Sequence, residues 1–300
     1  MDESAGVAHS PVQHGPDQHS LEQPGPMPEW ARLLHEDLTE LVRRSDGHWE
    51  LAVACGEVRL AIGAGRTVSA ASTIKVPLVI AALARVEAGH ADLTEVLAVP
   101  NERVGGTGVL GSLPSCLSLT LAEVLELCII VSDNTATNML IERFGLDTVG
   151  ASMRGLGLHE TVLRRRMLDL QAMQEGRDNL AQAQELAELL ARLGEGRLLS
   201  PALTEFAVSM LQGQRIRDRI PSRLPADVAV GNKTGELVGI CHDVGLLQFD
   251  GHQVGFAALG SDLSGATFAG GSGEAALVIA TAARSVVDRI RGGGAAAGAP

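Results

Sequence analysis

Ser72 and Lys75 stand three residues apart, where the small-residue run Val68–Ser72 gives way to an apolar pattern through Val76, Leu78, Val79, Ile80, Ala81 and Leu83. The pattern predicts a buried helix that begins near Ser72, where unpaired backbone N–H groups and the positive end of the helix dipole gather. Side chains three apart share one helix face, with Cβ atoms about 5–6 Å apart. An amine in apolar surroundings loses basicity and can take the proton of a neighbouring serine hydroxyl. Ser72 is therefore a candidate nucleophile and Lys75 its candidate base. By itself the pair is also satisfied by a plain helix cap.

Two further polar clusters interrupt apolar stretches. Ser132-Asp133-Asn134 ends the run Leu127–Val131, and Lys233-Thr234-Gly235 lies within a strand pattern near the C-terminal end. Each alone reads as turn residues or as an edge-strand charge. Together they offer what acyl transfer needs: two lysines and two hydroxyls to move protons, and a cation beside a hydroxyl to hold an anionic substrate.

Those residues must be positioned by elements from distant parts of the chain. Trp30, Leu33, Leu34, Leu38, Leu41 and Val42 mark one face of a first helix, and Trp49–Ala54 and Val58–Ile62 read as strands about a turn at Gly56. The middle is helical: Thr120-Leu-Ala-Glu123 is a capping box, and Thr135–Phe144 and Gln184–Leu193 follow. Val104–Ser112 is glycine-rich without a following Gly-Lys-Ser/Thr, and reads as a flexible rim loop. Strand patterns return at Val228–Val230, Asn232–Thr234, Val244–Phe249 and Val254–Leu259, before a closing helix over Ala275–Ile290. Strands at both ends with helices between predict an α+β fold: one antiparallel sheet built from both chain ends, flanking helices and an inserted all-helical domain. The expected boundaries are a disordered tail over 1–27, a sheet subdomain over 28–70 and 220–291, a helical subdomain over 71–219, and a flexible Gly/Ala tail over 292–300.

Composition narrows the classes. The net charge of −12 argues against nucleic-acid and anionic-membrane partners, and the absence of tyrosine removes any phenolic base. Cys55, Cys116, Cys128 and Cys241 are widely spaced with no Cys-x-x-Cys pair, so no thiolate metal site is expected and no cofactor is implied. The first 27 residues are polar and rich in His, Gln and Pro, without an apolar leader core, and no stretch is long enough to span a bilayer; a cytoplasmic location is the expectation.

In their order and separation, Ser72-x-x-Lys75, Ser132-Asp133-Asn134 about sixty residues on, and Lys233-Thr234-Gly235 on a late strand resemble the three-part signature of penicillin-recognising serine hydrolases. From about Pro28 to Ile290 the chain is similar to the class A β-lactamase-related family, whose β-lactamase/transpeptidase-like architecture fits the pattern above. The resemblance implies that Ser72 is acylated, Lys75 accepts its proton and Ser132 relays a proton to the leaving group. It implies that Asn134 bonds the substrate amide, that Lys233 and Thr234 hold a carboxylate, and that Asp133 ties the turn. Gly235 would let the strand approach the ligand closely, and the backbone N–H groups of Ser72 and Glu236 would form the oxyanion hole.

The sequence also departs from the family. The Glu-x-x-Leu-Asn motif that supplies the water-activating glutamate is absent; the corresponding stretch runs Arg164-Arg-Arg-Met-Leu-Asp169-Leu-Gln-Ala-Met-Gln-Glu175-Gly-Arg-Asp178-Asn179. Asp169 can take the glutamate's place one methylene short, Glu175 can swing in, or Asp169 and Asp178 serve as ion-pair partners of Arg164–Arg166. His242 stands near the place of a carboxylate-binding arginine, either lining the pocket or as a plain strand residue. Pro77 requires a tightened or bent first helical turn. The leading expectation is β-lactam hydrolysis through a Ser72 acyl-enzyme on a small-molecule substrate bearing a carboxylate. The alternatives are an intracellular esterase, amidase or acyltransferase, and a β-lactam sensor that stays acylated.

Overall fold

The computed structural model describes residues 27–264 and 273–296. In chain order the elements are α1 (Glu29–Arg43), β1 (His48–Cys55), β2 (Val58–Ile62), β3 (Val68–Ser69), α2 (Lys75–Glu87), β4 (Val96–Ala98), β5 (Ser118–Thr120), α3 (Leu121–Ile130), α4 (Asn134–Phe144), α5 (Leu146–Gly155), α6 (Leu170–Gln174), β6 (Leu180–Ala181), α7 (Ala183–Gly194), α8 (Pro201–Gln212), β7 (Ala229–Leu237), β8 (Ile240–Phe249), β9 (His252–Ser261) and α9 (Gly273–Ala296). The main sheet is antiparallel in the order β2-β1-β9-β8-β7, so strands from the two ends of the chain meet at the β1–β9 pair.

Alternation along the strands divides the core in two. Leu51, Val53, Phe256 and Ala258 face α1 and α9, whereas Ala52, Ala54, Ala257 and Leu259 face the side that holds α2, α3 and α7. Because both faces are covered, these strands are apolar almost throughout instead of alternating with polar residues. The sheet-with-helices architecture expected from the pattern is the one observed. Among the described residues, no helix is long and apolar enough to cross a membrane.

Some boundaries differ, for local reasons. The two short patterns around Gly231 form one strand, β7, because Gly231 packs against Leu211 and Gln212 of α8, where a side chain would not fit. The closing helix continues past Ile290 through Gly292 and Gly293 to Ala296, with Gly293 against the ring of Trp30. Residues 1–26 and 297–300 of the expected tails lie outside the described residues. The difficulty at Pro77 is resolved by a 3₁₀ turn over Ala71–Ile74. The α-helix proper begins only at Lys75, so Pro77 occupies the first turn, where a missing N–H leaves no partner unbonded.

The closest packing of sheet on helix is at Gly255 in β9. A Cβ there would lie 1.9 Å from the Ala187 carbonyl oxygen and 2.7 Å from the Ala191 nitrogen, both backbone atoms of α7. Gly255→Ala is expected to cost about 3 kcal/mol or more, since backbone gives way less readily than a side chain. A lower urea midpoint with an unchanged m-value checks this.

Candidate active site

Ser72 sits in the 3₁₀ turn that precedes α2, beneath the C-terminal part of β7. Gly235 permits the approach: a Cβ there would lie 3.1 Å from Thr73 Cγ2 and 3.2 Å from the Ala70 carbonyl oxygen. The loop between α3 and α4 arrives from a third direction. Asp133 caps α4 by accepting from the Ala136 N–H, and its other oxygen accepts from the N–H groups of Val109 and Leu110. That carboxylate thus ties the turn to the glycine-rich segment. The segment is pinned further where the Thr107 hydroxyl donates to the Ser132 carbonyl and the Asn134 Nδ2 to the Gly105 carbonyl.

Lys75 is fully buried at the centre of this arrangement. Its Nζ donates to the Ser132 carbonyl at 2.7 Å and Asn134 Oδ1 at 2.8 Å, and lies 3.1 Å from Ser132 Oγ. Two of these partners only accept, while the third is a hydroxyl that can also donate. A neutral amine therefore keeps both acceptors satisfied and turns its lone pair to a hydroxyl. Burial pushes the Lys75 amine down to about 8. Lys233, also fully buried, donates to the Thr234 carbonyl at 2.7 Å; burial and then the Lys75 charge hold it well below an ordinary lysine.

These elements enclose a cavity of about 300 Å³. Ser72, Ser132, Asn134, Thr234 and Glu236 line it together, with Gly106 and Thr107 from the glycine-rich loop. Ala71, Ile216 and Leu237 form apolar wall on the sheet side, and Arg165, Met167 and Leu168 form the opposite wall. Five non-glycine residues among those described have φ between +45° and +57°, and three of them, Ala71, Ser132 and Leu168, line this cavity. Such backbone costs about 1–3 kcal/mol per residue and persists only where the surroundings dictate it.

The segment 161–180 is held by hydrogen bonds independent of the cavity. Arg165 donates to Asp178 from Nε at 3.0 Å and Nη2 at 2.7 Å, and Asn179 Oδ1 accepts from the N–H groups of Arg164 and Arg165. Asn138 clasps the backbone of Met167 in both directions, which sets Met167 into the cavity wall. Asp169 does not line the cavity; its carboxylate accepts from the Ala172 N–H and caps α6. Glu175 bonds Gln171 and pairs with Arg177 at the surface.

His242, on β8 opposite Gly235, is buried and absent from the cavity lining; its Nε2 lies 2.9 Å from the Ser69 carbonyl, and burial pushes the ring down to about 4. The arginine near this place is Arg219, which sequence reading passed over. Its side chain is 1% exposed and donates to the carbonyls of Gly235 and His242 and to Glu236 Oε2. Nothing in the sequence separates Arg219 from Arg215, Arg217 and Arg223 beside it. Asp243 anchors the same corner by accepting from the Ile220 N–H and Asn232 Nδ2, and burial raises it to about 6.

Residues 33–290 match the model of the β-lactamase enzyme family. β-Lactamase SME-1 of Serratia marcescens is 32% identical over 121 residues, a match that spans 39% of this chain and only 41% of that enzyme. Among solved structures, a β-lactamase of Sphaerobacter thermophilus is 28% identical, with a TM-score of 0.74 over 86% of this chain and 95% of that one. An ancestral class A β-lactamase is 29% identical, with a TM-score of 0.76 over 85% and 99%. A variant of PBP-A, solved as an acyl-enzyme complex with penicillin-G, is 25% identical, with a TM-score of 0.76 over 87% and 97%. With the family model covering nearly the whole described length and the fold shared over about 85% of the chain, this chain belongs to the β-lactamase enzyme family.

Proposed function

We propose that the protein reacts with β-lactams and related activated acyl compounds through Ser72, and that it releases the resulting acyl group slowly. The observation that carries this reading is the buried Lys75 amine, held by Ser132 and Asn134, both of which line the cavity together with Ser72. In the acylation step Ser72 Oγ bonds to the lactam carbonyl carbon as Lys75 Nζ takes its proton. The C–N bond then breaks while Ser132 Oγ delivers a proton to the departing nitrogen and recovers one from Lys75. The backbone N–H groups of Ser72 and Glu236 stabilise the oxyanion, and Asn134 and Thr234 orient the substrate.

Slow release follows from the wall opposite the sheet. Hydrolysis of an acyl-serine needs a base that activates water from that side, and the side chains there are Arg165, Met167 and Leu168. Arg165 is engaged with Asp178, and Asp169 with the start of α6. Of the carboxylates among the described residues, only Glu236 lines the cavity, on the sheet side. A protein with this wall acylates readily and deacylates poorly, closer to a β-lactam sensor than to an efficient hydrolase.

Intact-protein mass spectrometry after mixing with a penicillin, a cephalosporin and a simple activated ester tests this. The expected result is a β-lactam adduct that persists for many minutes and is absent in Ser72→Ala; labelling of another residue contradicts it. Because the neutral Lys75 amine is the reactive form, adduct formation should rise about tenfold per pH unit below about 8 and level off above. A flat profile from pH 6 to 9 removes Lys75 as the base. Met167→Glu, which places a carboxylate on the bare wall, should shorten the adduct lifetime by about 100-fold. Asp169→Asn should leave that lifetime within about twofold, and a marked lengthening would return Asp169 to the water-activating role.

A further inference from the structure

The cavity is lined by one carboxylate side chain that the acylation scheme does not use, that of Glu236. In a strand, residues two apart face the same way and stand about 7 Å apart, so Glu236 and Thr234 present their side chains to one face of β7. Both line the cavity with Ser72. Glu236 Oε2 accepts from Arg219 at 2.5 Å, whereas Oε1 is buried with no hydrogen-bond partner. The Glu236 side chain is 27% exposed and Arg219 only 1%, so of this ion pair it is Glu236 that reaches the cavity lining.

Beyond Arg219, the neighbouring cations do not offset this charge. Lys233 is turned to the Thr234 carbonyl and does not line the cavity, and Arg165 is taken up by Asp178 and the Arg166 carbonyl. Where the sequence led us to expect a cationic seat for a substrate carboxylate, the lining carries a carboxylate paired with the remaining arginine.

We propose that the Glu236 side chain sets substrate selectivity: it disfavours acyl donors that carry a carboxylate beside the scissile carbonyl and favours those that carry a neutral or cationic N–H group there. The inference rests on the Ser72 acyl-enzyme reading. A neutral or cationic N–H group in the cavity beside Glu236 meets an opposite charge and no repulsion. A carboxylate at the same place meets like charge at close range in a partly dry cavity. Penicillins, which carry that carboxylate, then count as imperfect surrogates for a neutral or amino-bearing ester or amide.

The test uses the full chain and three matched probes: a penicillin free acid, its methyl ester and its 2-aminoethyl amide. Rates of Ser72 adduct formation are measured by intact mass in wild type, Glu236→Gln and Glu236→Ala. The glutamine keeps an oxygen for Arg219 and removes only the charge. The ratio of the amino-amide rate to the free-acid rate is expected to fall by about tenfold or more in both variants, mainly because the free acid accelerates. A ratio unchanged within about twofold in both variants overturns the inference while leaving the Ser72 reading intact. Adducts with none of the three probes in wild type overturn the Ser72 reading, and the inference falls with it. Adducts of the methyl ester in each variant show that the variants are folded and that the ratio reports selectivity.

Discussion

Everything at the cavity depends on one buried amine that has no carboxylate bonded to it. Lys75 is enclosed completely, and its bonded partners are a carbonyl, an amide oxygen and a hydroxyl. Keeping a cation there is unfavourable, and the fall from 10.5 to about 8 corresponds to roughly 3 kcal/mol against the protonated form. In the proposed acylation, that cost is what makes the amine available as a base near pH 8. A carboxylate beside the amine would make the site more comfortable and remove its basicity. Asp133, the carboxylate whose charge acts on the amine, is instead committed to the α4 cap and the glycine-rich loop.

The surroundings hold the amine in place through backbone strain at three corners. Ala71, Ser132 and Leu168 adopt left-handed conformations on the nucleophile turn, the hydroxyl turn and the far wall respectively. Each is fixed by neighbours on rigid elements: α2 sealed in the core, the Asp133 capping network, and the Asn138 clasp on Met167. The scaffold that brings Ser72, Ser132 and Asn134 to one cavity is therefore firmly built. The far wall is just as well built, but it presents a thioether and an isobutyl group where water activation needs a base.

Much of this was legible in the sequence because it rests on local rules. The period of Val76–Leu83 announced a buried helix, the Thr120–Glu123 box forms both of its reciprocal bonds, and the strand patterns at each chain end pair at β1–β9. The two polar triplets stand out because each breaks an apolar pattern, and the Ser72–Lys75 pair because an apolar pattern begins there. What stayed hidden depends on long-range geometry. Arg219 looks like its exposed neighbours until β7 and β8 fold over it, and Met167 looks like any core methionine until Asn138 turns it into the wall. Asp169 drew notice by its type and position, but the local pull of an unpaired N–H at the start of α6 decides where its side chain goes. Glu236 was read only for its backbone N–H, since the reach of its side chain to Arg219 is a tertiary fact.

The central claim is that burial makes Lys75 a weak enough cation to accept a proton from a hydroxyl. The most direct measurement is the titration of Lys75 itself, followed by NMR in protein labelled at the lysine ε-carbons and assigned with Lys75→Arg. A midpoint near 8 is the predicted result. A midpoint above 10, the value of a lysine in water, would contradict the account.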